Sequence, residues 1–234
     1  MVSLVEWTRK FYTETVDKET GLSDVGWAQT GSTGLARTAE MWTQLQRATT
    51  LLEEYGIRYT LFGPGAPLPL SAAKSFHPLL DLEGEGIVGA VHTPDDGIVN
   101  PSDACMHVVR LAREAGVRFI EHCGVAELET STLADGTLSV TGVKTVHGDA
   151  IECETALLAC GQWTRQLAAT VGVNVPVAIV PHQYTIFERM EDPDGKVLVD
   201  NTLPVVRDYE RKVYIKPEVG GLMCVLYIEM KILQ

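Results

Sequence analysis

The stretch Thr155-Ala-Leu-Leu-Ala-Cys-Gly-Gln-Trp-Thr-Arg-Gln-Leu167 decides the fold that this sequence predicts. Residues 156–160 are apolar without interruption, which is typical of a strand buried on both faces. Gly161 ends that run, and an amphipathic helix through Trp163 and Val171 can begin there. At the carboxyl edge of a parallel sheet, such a glycine turn lets a ligand approach the backbone. A plain strand–helix unit of an ordinary core has the same pattern, so both interpretations stay open here.

Composition excludes several classes of protein. The 234 residues carry a formal net charge of −12, which argues against nucleic acid or an anionic membrane as partner, because neutralising phosphates needs an excess of Lys and Arg. No apolar run approaches the length of a membrane span, and the first residues lack the apolar region of a signal peptide. The five cysteines form no C-x-x-C pair, so the sequence predicts neither a disulfide framework nor a metal site.

The first third of the chain predicts two helices separated by extended segments. Ser3 and Glu6 form a capping-box pattern that predicts a helix to about Val16. Thr38 is the predicted N-cap of a second helix, which should end at Gly56.

A glycine motif at residues 84–89 matches G-x-G-x-x-G, the pattern of a dinucleotide-binding turn. In that motif the third glycine opens a helix, whereas here Gly89 is followed by Ala-Val-His-Thr and the turn signature Pro94-Asp-Asp-Gly. We therefore predict a strand over 87–93 that ends in a β-turn.

The middle third predicts half of a doubly wound domain. A helix should begin at Asn100-Pro101 with Val108 and Leu111 facing inward, and a strand should follow over 117–121. Strands beginning at 125, 138 and 150 then form an antiparallel excursion before the apolar run at 156–160.

From residue 176 onward the pattern indicates strands without crossover helices. His182 and Tyr184 alternate at the head of one strand, which predicts that two groups capable of proton transfer share a face. Tyr214 and Lys216 form a second such pair. In either pair the side chains could instead be ordinary hydrogen-bonded wall residues of the sheet.

Taken in order, a set of motifs resembles a known family. They are Gly26-Trp27 with Gly31-Ser32, His77-Pro-Leu-Leu, Pro94-Asp-Asp-Gly-Ile-Val-Asn-Pro, Leu111-Ala-Arg-Glu-Ala-Gly, Cys160-Gly-Gln-Trp, His182-Gln-Tyr and Gly220-Gly-Leu. This order is similar to that of the FAD-dependent amine oxidoreductases of the dimethylglycine and sarcosine dehydrogenase group, in the D-amino-acid oxidase superfamily.

The resemblance implies an α/β and α+β fold in which a partial Rossmann-like FAD domain is interleaved with a mixed-sheet substrate domain. The implied boundaries are 1–100 and 176–234 for the substrate domain and 101–175 for the FAD domain. It also implies FAD at Val125, Gly161 and Trp163 and at the glycine pair Gly220-Gly221.

The implied reaction is oxidation of a methylated amine such as dimethylglycine or sarcosine by hydride transfer to the flavin. His182 and Tyr184 would face the substrate, with Tyr184 handling a proton or binding a carboxylate. Electron-transfer flavoprotein is the implied electron acceptor, tetrahydrofolate a co-substrate of full-length members only, and the mitochondrial matrix the implied location, with the cytoplasm as the alternative.

Compared with the family, we expect the chain to begin after the strand that carries the family's dinucleotide-binding glycines. The isolated chain should therefore bind FAD weakly and turn over poorly. A non-catalytic protein of the same fold, similar to the regulatory subunit of pyruvate dehydrogenase phosphatase, is the alternative, and a folded remnant without function is a third possibility.

Overall fold

The computed structural model describes residues 2–14, 25–82, 84, 86–218 and 220–226. The helices are α1 (Val2–Glu14), α2 (Ala39–Glu54), α3 (Pro101–Glu114) and α4 (Thr164–Ala169). The strands are β1 (Ser32–Ala36), β2 (Thr60–Phe62), β3 (Gly89–Thr93), β4 (Val125–Thr132), β5 (Leu138–Thr145), β6 (Ala150–Glu152), β7 (Gln183–Ile186), β8 (Val205–Asp208), β9 (Val213–Glu218) and β10 (Gly221–Leu226). No helix in the described part of the chain has both the length and the apolar character that crossing a membrane requires.

The chain divides into two compact units. The first is formed by residues 1–112 together with 182–234, and the second by residues 113–181. The first unit is built on a seven-stranded sheet in the order β2-β3-β1-β8-β9-β10-β7, in which β1 and β8 are parallel and the other neighbours antiparallel. The second unit contains the antiparallel sheet β4-β5-β6.

Apolar side chains cover both faces of the seven-stranded sheet. Consecutive residues of a strand point to opposite faces, so Leu35 and Ala36 of β1 begin two separate clusters. Leu35 packs in one cluster with Phe62 and Val206, whereas Ala36 packs in the other with Trp42 of α2. The sheet is thus the middle layer of the first unit.

Several local predictions are confirmed. The Thr38 hydroxyl accepts the backbone N–H of Met41 and caps α2, as the sequence predicts. Asn100 caps α3 in the same way, through the N–H groups of Ser102 and Asp103. The segment after Gly89 is strand β3, with no helix following it, so rejecting the dinucleotide-binding interpretation of that motif is confirmed.

The start of the chain differs in detail from the sequence-based expectation. Helix α1 begins at Val2, so Ser3 lies within its first turn rather than at its N-cap. The described helix ends at Glu14, and the predicted continuation to Val16 lies outside the described residues. The sequence also missed a 3₁₀-helix over Leu70–Ser75, which follows a proline-rich loop.

Two predicted strands are wrong. Residues 117–121 and 156–160 form no strand, and Leu157 is 90% exposed instead of buried on both faces. A strand exists only where a neighbouring strand takes up its backbone hydrogen bonds, and no described strand pairs with either segment. The sequence correctly identifies an apolar run. Its burial would require a neighbouring strand, and the local sequence pattern carries no information about that neighbour.

The prediction that Val108 and Leu111 form the inward face of α3 is also wrong. Its buried residues are Ala104 and His107, whereas Val108 and Leu111 are 50% and 39% exposed. The His107 ring lies 6.1 Å from the ring of Phe11 on α1, so α1 contributes to the burial of His107. Helical spacing predicts an apolar face and leaves open what packs against it.

Candidate functional site

One row of residues that crosses the seven-stranded sheet contains two tyrosines and an arginine. The strand registers place Tyr184 opposite Val225, Val225 opposite Tyr214, Tyr214 opposite Arg207, and Arg207 opposite Gly34. Directly opposed residues point to the same face of a sheet, so these five side-chain positions share one face. We call this set the Tyr184–Gly34 row.

Arg207 and Tyr214 are in contact within this row. The guanidinium carbon of Arg207 lies over the Tyr214 ring, 5.8 Å from its centroid. A guanidinium over a phenol ring is attracted by the negative face of the ring, and the contact fixes the direction of a long, flexible side chain. The pair therefore holds a cation and a phenol together on the sheet surface.

The predicted pairing of Tyr214 with Lys216 is realised on the same strand, but the two residues have different partners. Lys216 donates to the carboxylate of Glu218 at 2.6 Å, and both side chains are mostly buried. The charge of Lys216 is thus compensated within β9. Arg207 rather than Lys216 supplies the accessible cation beside Tyr214, and the sequence interpretation did not single out Arg207.

His182 and Tyr184 lie at the edge of the sheet. His182 immediately precedes β7, and Tyr184 is 63% exposed in a strand whose residues are all exposed. Tyr184 shares the row with Tyr214 but is two strands away, which is about 10 Å at the usual strand spacing. Neither His182 nor Tyr184 lines the cavity described next, so their predicted catalytic role stays a prediction.

A cavity of about 500 Å³ lies between α1 and the Arg207 end of the row. Its sheet wall includes Ser32, Val205 and Arg207, and its other walls come from α1, Trp27 and the turn at Asp95-Asp96. This volume is in the range of small-molecule sites. The first unit thus combines a ligand-sized cavity with an arginine, a tyrosine and carboxylates on or beside its wall.

Two buried histidines lie on the opposite face of the sheet. His77 and His92 are each 4% exposed, and burial lowers the pKa of both rings because it disfavours the charged form. His92 Nδ1 lies 3.0 Å from the Thr33 hydroxyl, and Phe76 stacks on its ring. Both rings are buried and neither lines the cavity, so His77 and His92 are parts of the core.

The glycine pair predicted to approach a cofactor has a structural role in the hairpin of β9 and β10. Gly220 has a φ of +81°, which favours glycine, and a Cβ at Gly221 would lie 2.2 Å from the carbonyl oxygen of Phe187. Close packing of backbone therefore accounts for glycine at 221. Its predicted contact with the isoalloxazine ring stays a prediction.

The remaining predicted cofactor residues belong to the second unit. Gly161 has a φ of +53° and begins a 3₁₀-helix, and a Cβ there would meet nothing within 4 Å. Trp163 is 61% exposed, and Val125 begins β4 with 39% of its surface exposed. The turn is thus open to solvent beside a large flat side chain. Among the described residues, no group of His, Cys, Asp and Glu is placed to hold a metal ion.

A comparison with known protein families identifies the family of this chain. Residues 1–227 match the family described as FAD dependent oxidoreductase, abbreviated DAO. The chain belongs to the DAO family. This membership confirms the predicted FAD-oxidoreductase family and implies FAD as cofactor.

Curated relatives of this DAO protein include several amine-oxidising enzymes. Mouse mitochondrial sarcosine dehydrogenase is 29% identical over 92% of this chain and 22% of its own length. The formaldehyde-forming 4-methylaminobutanoate oxidase of Paenarthrobacter nicotinovorans is 34% identical over 95% of this chain and 24% of its own length. The chain thus spans about a quarter or less of the length of these relatives.

Solved structures confirm the DAO-like fold. L-proline dehydrogenase of P. horikoshii superposes with a TM-score of 0.75 at 22% identity, over 98% of this chain and 56% of its own. Iminodiacetate oxidase of Chelativorans sp. BNC1 gives a TM-score of 0.68 at 18% identity, over 96% and 54%. The predicted mixed sheet of a D-amino-acid oxidase-like fold is therefore confirmed, whereas the domain boundaries at 101 and 176 stay a prediction.

The predicted cofactor residues Gly161 and Trp163 of the second unit are accessible. Gly161 presents backbone with open space where a Cβ would be, and the exposed Trp163 and Leu157 offer apolar surface beside it. A planar aromatic group can approach such a turn without steric hindrance. We propose that these residues would hold FAD, which would supply a two-electron acceptor.

Proposed function

We propose that this DAO protein contributes to the FAD-dependent oxidation of an N-methyl amine such as sarcosine or dimethylglycine. The observation that carries the proposal is the Arg207–Tyr214 pair beside the cavity of the first unit. The similarity to sarcosine dehydrogenase and to 4-methylaminobutanoate oxidase supports N-methyl amines as the substrate class.

The reaction removes a hydride from the N-methyl carbon and leaves an iminium ion, which water converts to formaldehyde and the demethylated amine. Bound FAD would accept the hydride with its electron pair. The amine must be unprotonated for this step, so a nearby group must take the ammonium proton. Tyr214 is in contact with the cavity residue Arg207, and we propose that it or the predicted Tyr184 and His182 handle that proton.

Purified chain incubated with FAD and freed of excess flavin gives the direct test. Anaerobic addition of sarcosine, dimethylglycine or 4-methylaminobutanoate should bleach the flavin absorbance of the bound fraction. Formaldehyde should appear in an amount equal to the flavin reduced. Retained flavin that none of the three amines reduces would overturn the proposal.

A non-catalytic role is the second candidate. The mitochondrial regulatory subunit of mouse pyruvate dehydrogenase phosphatase is 28% identical over 94% of this chain and 23% of its own length. Failure to retain flavin, combined with stable binding of a purified phosphatase catalytic subunit, would favour this function over oxidation.

The location of the protein, its electron acceptor and its use of tetrahydrofolate are also proposals. We propose the mitochondrial matrix as the location because the mouse and human sarcosine dehydrogenases are mitochondrial. Electron-transfer flavoprotein as electron acceptor rests on the resemblance alone. Tetrahydrofolate is proposed only for a full-length enzyme.

A further inference from the structure

The seven-stranded sheet of the first unit ends in two different edges. At one end, the edge of β2 is partly covered, because Phe62 forms a parallel bridge with Leu68 and Gly63 donates to the Leu68 carbonyl at 3.0 Å. At the other end, β7 pairs with β10 on one side, and no described strand pairs with its other side. We call this outer side of β7, with the residues that flank it, the β7 edge (residues 182–188).

The hydrogen bonds to β10 determine which backbone groups of β7 point outward. The Phe187 N–H donates to the Leu222 carbonyl at 2.8 Å, and the register of β7 and β10, continued by one residue, places these two residues opposite each other. In an antiparallel pair, residues that exchange hydrogen bonds alternate with residues that do not. The N–H and carbonyl groups of Tyr184 and Ile186 therefore point away from β10.

The β7 edge lacks lysine and proline, two residue types that commonly prevent an edge strand from pairing. All of its residues are exposed, and Tyr184, Ile186 and Phe187 are each more than half exposed. An exposed edge with apolar side chains and outward-pointing backbone groups is a template for an added strand. The β7 edge is therefore a candidate interaction surface.

The β7 edge is complementary to itself when two copies run in opposite directions. If two copies pair around Thr185, Tyr184 of each copy lies opposite Ile186 of the other. Tyr184 and Ile186 are the residues whose backbone groups point outward, so this register gives a regular ladder of hydrogen bonds. The same register places His182 of each copy opposite Glu188 of the other.

The side chains favour this register over its neighbours. An imidazole N–H can donate to a carboxylate, and pairs of aromatic with β-branched residues are among the favourable cross-strand pairs. Pairing around Tyr184 or around Ile186 keeps the outward hydrogen bonds but separates His182 from Glu188. Charge complementarity therefore selects the register around Thr185.

We propose that the β7 edge is a dimer interface at which a second copy of this chain adds its own β7 in the antiparallel direction. The two seven-stranded sheets then form one continuous sheet with a two-fold axis at Thr185. A second copy is favoured over a strand of another protein because one segment supplies both halves of the ladder and of the charge pairing, as a two-fold interface requires. This inference concerns assembly and goes beyond the proposed oxidation.

Sedimentation velocity of the whole chain over a concentration series tests the association. The strand interface is small, so we expect a monomer–dimer equilibrium in which the dimer fraction rises between about 1 μM and about 100 μM protein. A chain that stays monomeric over this range would overturn the inference and leave a strand of another protein as the occupant of the edge.

Ile186→Pro tests the backbone pairing. The Ile186 N–H points away from β10, so proline at this edge position removes an outward donor and leaves the bonds to β10 in place. The dissociation constant of the dimer should rise by roughly tenfold or more, since two hydrogen bonds are lost by symmetry. Ile186→Ala keeps the N–H and is the matched control, which should weaken the dimer less. Self-association that persists unchanged in Ile186→Pro would overturn the inference.

Charge variants test the register, and they decide the matter if Ile186→Pro alters the circular dichroism spectrum. Glu188→Lys should raise the dissociation constant by roughly tenfold, because two cross-strand pairs with His182 are changed at once. Adding His182→Glu restores an opposite charge in each pair and should restore the dimer. Glu54→Lys makes the same charge change at an exposed position of α2 and should leave the dissociation constant unaltered. An unaltered dissociation constant in Glu188→Lys would overturn the register and with it the choice of a second copy.

Discussion

The guanidinium of Arg207 lies over the ring of Tyr214, 5.8 Å from its centroid, and the two residues come from neighbouring antiparallel strands. The contact depends on the ring and not on the hydroxyl. A Tyr214→Phe variant therefore keeps the ring that holds Arg207 in position and removes only the hydroxyl.

Tyr214→Phe separates the role of the ring from that of the hydroxyl. Under the proposed function, loss of the hydroxyl should lower the rate constant of flavin reduction by about a hundredfold, the usual scale of a positioned acid–base group. The ring remains, so the affinity for a carboxylate-containing amine should change little. Rapid-mixing kinetics of the two variants Tyr214→Phe and Tyr214→Leu check this, because only the second should also weaken binding. An unchanged reduction rate in Tyr214→Phe would assign the proton to another group.

Gly89→Ala should destabilise the first unit. A Cβ at Gly89 would lie 2.3 Å from a ring carbon of Trp42, which is 5% exposed and whose Nε1–H donates to the carbonyl of Pro64 at 2.9 Å. Moving the indole costs packing and that hydrogen bond, so we expect a loss of about 2 kcal/mol in the free energy of unfolding. Gly124→Ala is the control, since its Cβ would meet the Val146 side chain at an ordinary 3.4 Å. Urea denaturation of both variants measures the difference.

The buried pair of Arg37 and Asp208 should be more sensitive than any exposed ion pair. Arg37 Nε lies 2.6 Å from Asp208 Oδ2, and the two side chains are 16% and 9% exposed. Asp208→Ala would leave the guanidinium largely buried without this partner, at a cost of about 3 kcal/mol. Glu127→Ala removes one partner of an exposed pair with Lys144 and should cost less than about 1 kcal/mol. Equal losses in chemical denaturation would contradict this difference.

Acidification should destabilise the fold through His77 and His92. Burial lowers the pKa of both rings in the folded protein below the ordinary value of 6.5, so the unfolded chain takes up the protons first. The two neutral rings contribute fully to the free energy of unfolding at pH values above the histidine pKa of the unfolded chain. This contribution is lost as the pH falls from that value through the lower pKa of the folded protein. Between about pH 7.5 and about pH 5.5 the loss should reach at most about 1.4 kcal/mol for each histidine.

Leucine substitutions assign this loss to the two histidines. His77→Leu and His92→Leu should each flatten the pH dependence of the unfolding free energy, and the double variant should flatten it further. His147, an exposed turn residue, provides the control variant His147→Gln, which should keep the full slope. A slope that survives in the double variant would assign the acid sensitivity to other groups.

Sequence patterns predicted those parts of the fold that depend on neighbouring residues along the chain. The caps at Thr38 and Asn100 both follow from contacts within a few residues. The candidate site could not be found in this way. Asp96 and Arg207 are brought to one wall by the parallel pairing of β1 and β8, which joins segments far apart in sequence.

The apolar segment at 156–160 also shows that local sequence does not reveal contacts with distant parts of the chain. Its composition is that of a buried strand, yet Leu157 is 90% exposed because no described strand pairs with it. Leu157→Ser should therefore change the unfolding free energy of this chain by less than about 0.5 kcal/mol. Leu35→Ser, at a core leucine that is 2% exposed, is the comparison and should cost about 3 kcal/mol or more. If Leu157→Ser proved as costly as Leu35→Ser in denaturation, the segment would be buried in solution and the strand prediction would be right after all. A small effect would mean that the apolar run contributes nothing to the stability of this chain by itself, so that composition alone does not make a segment part of a core.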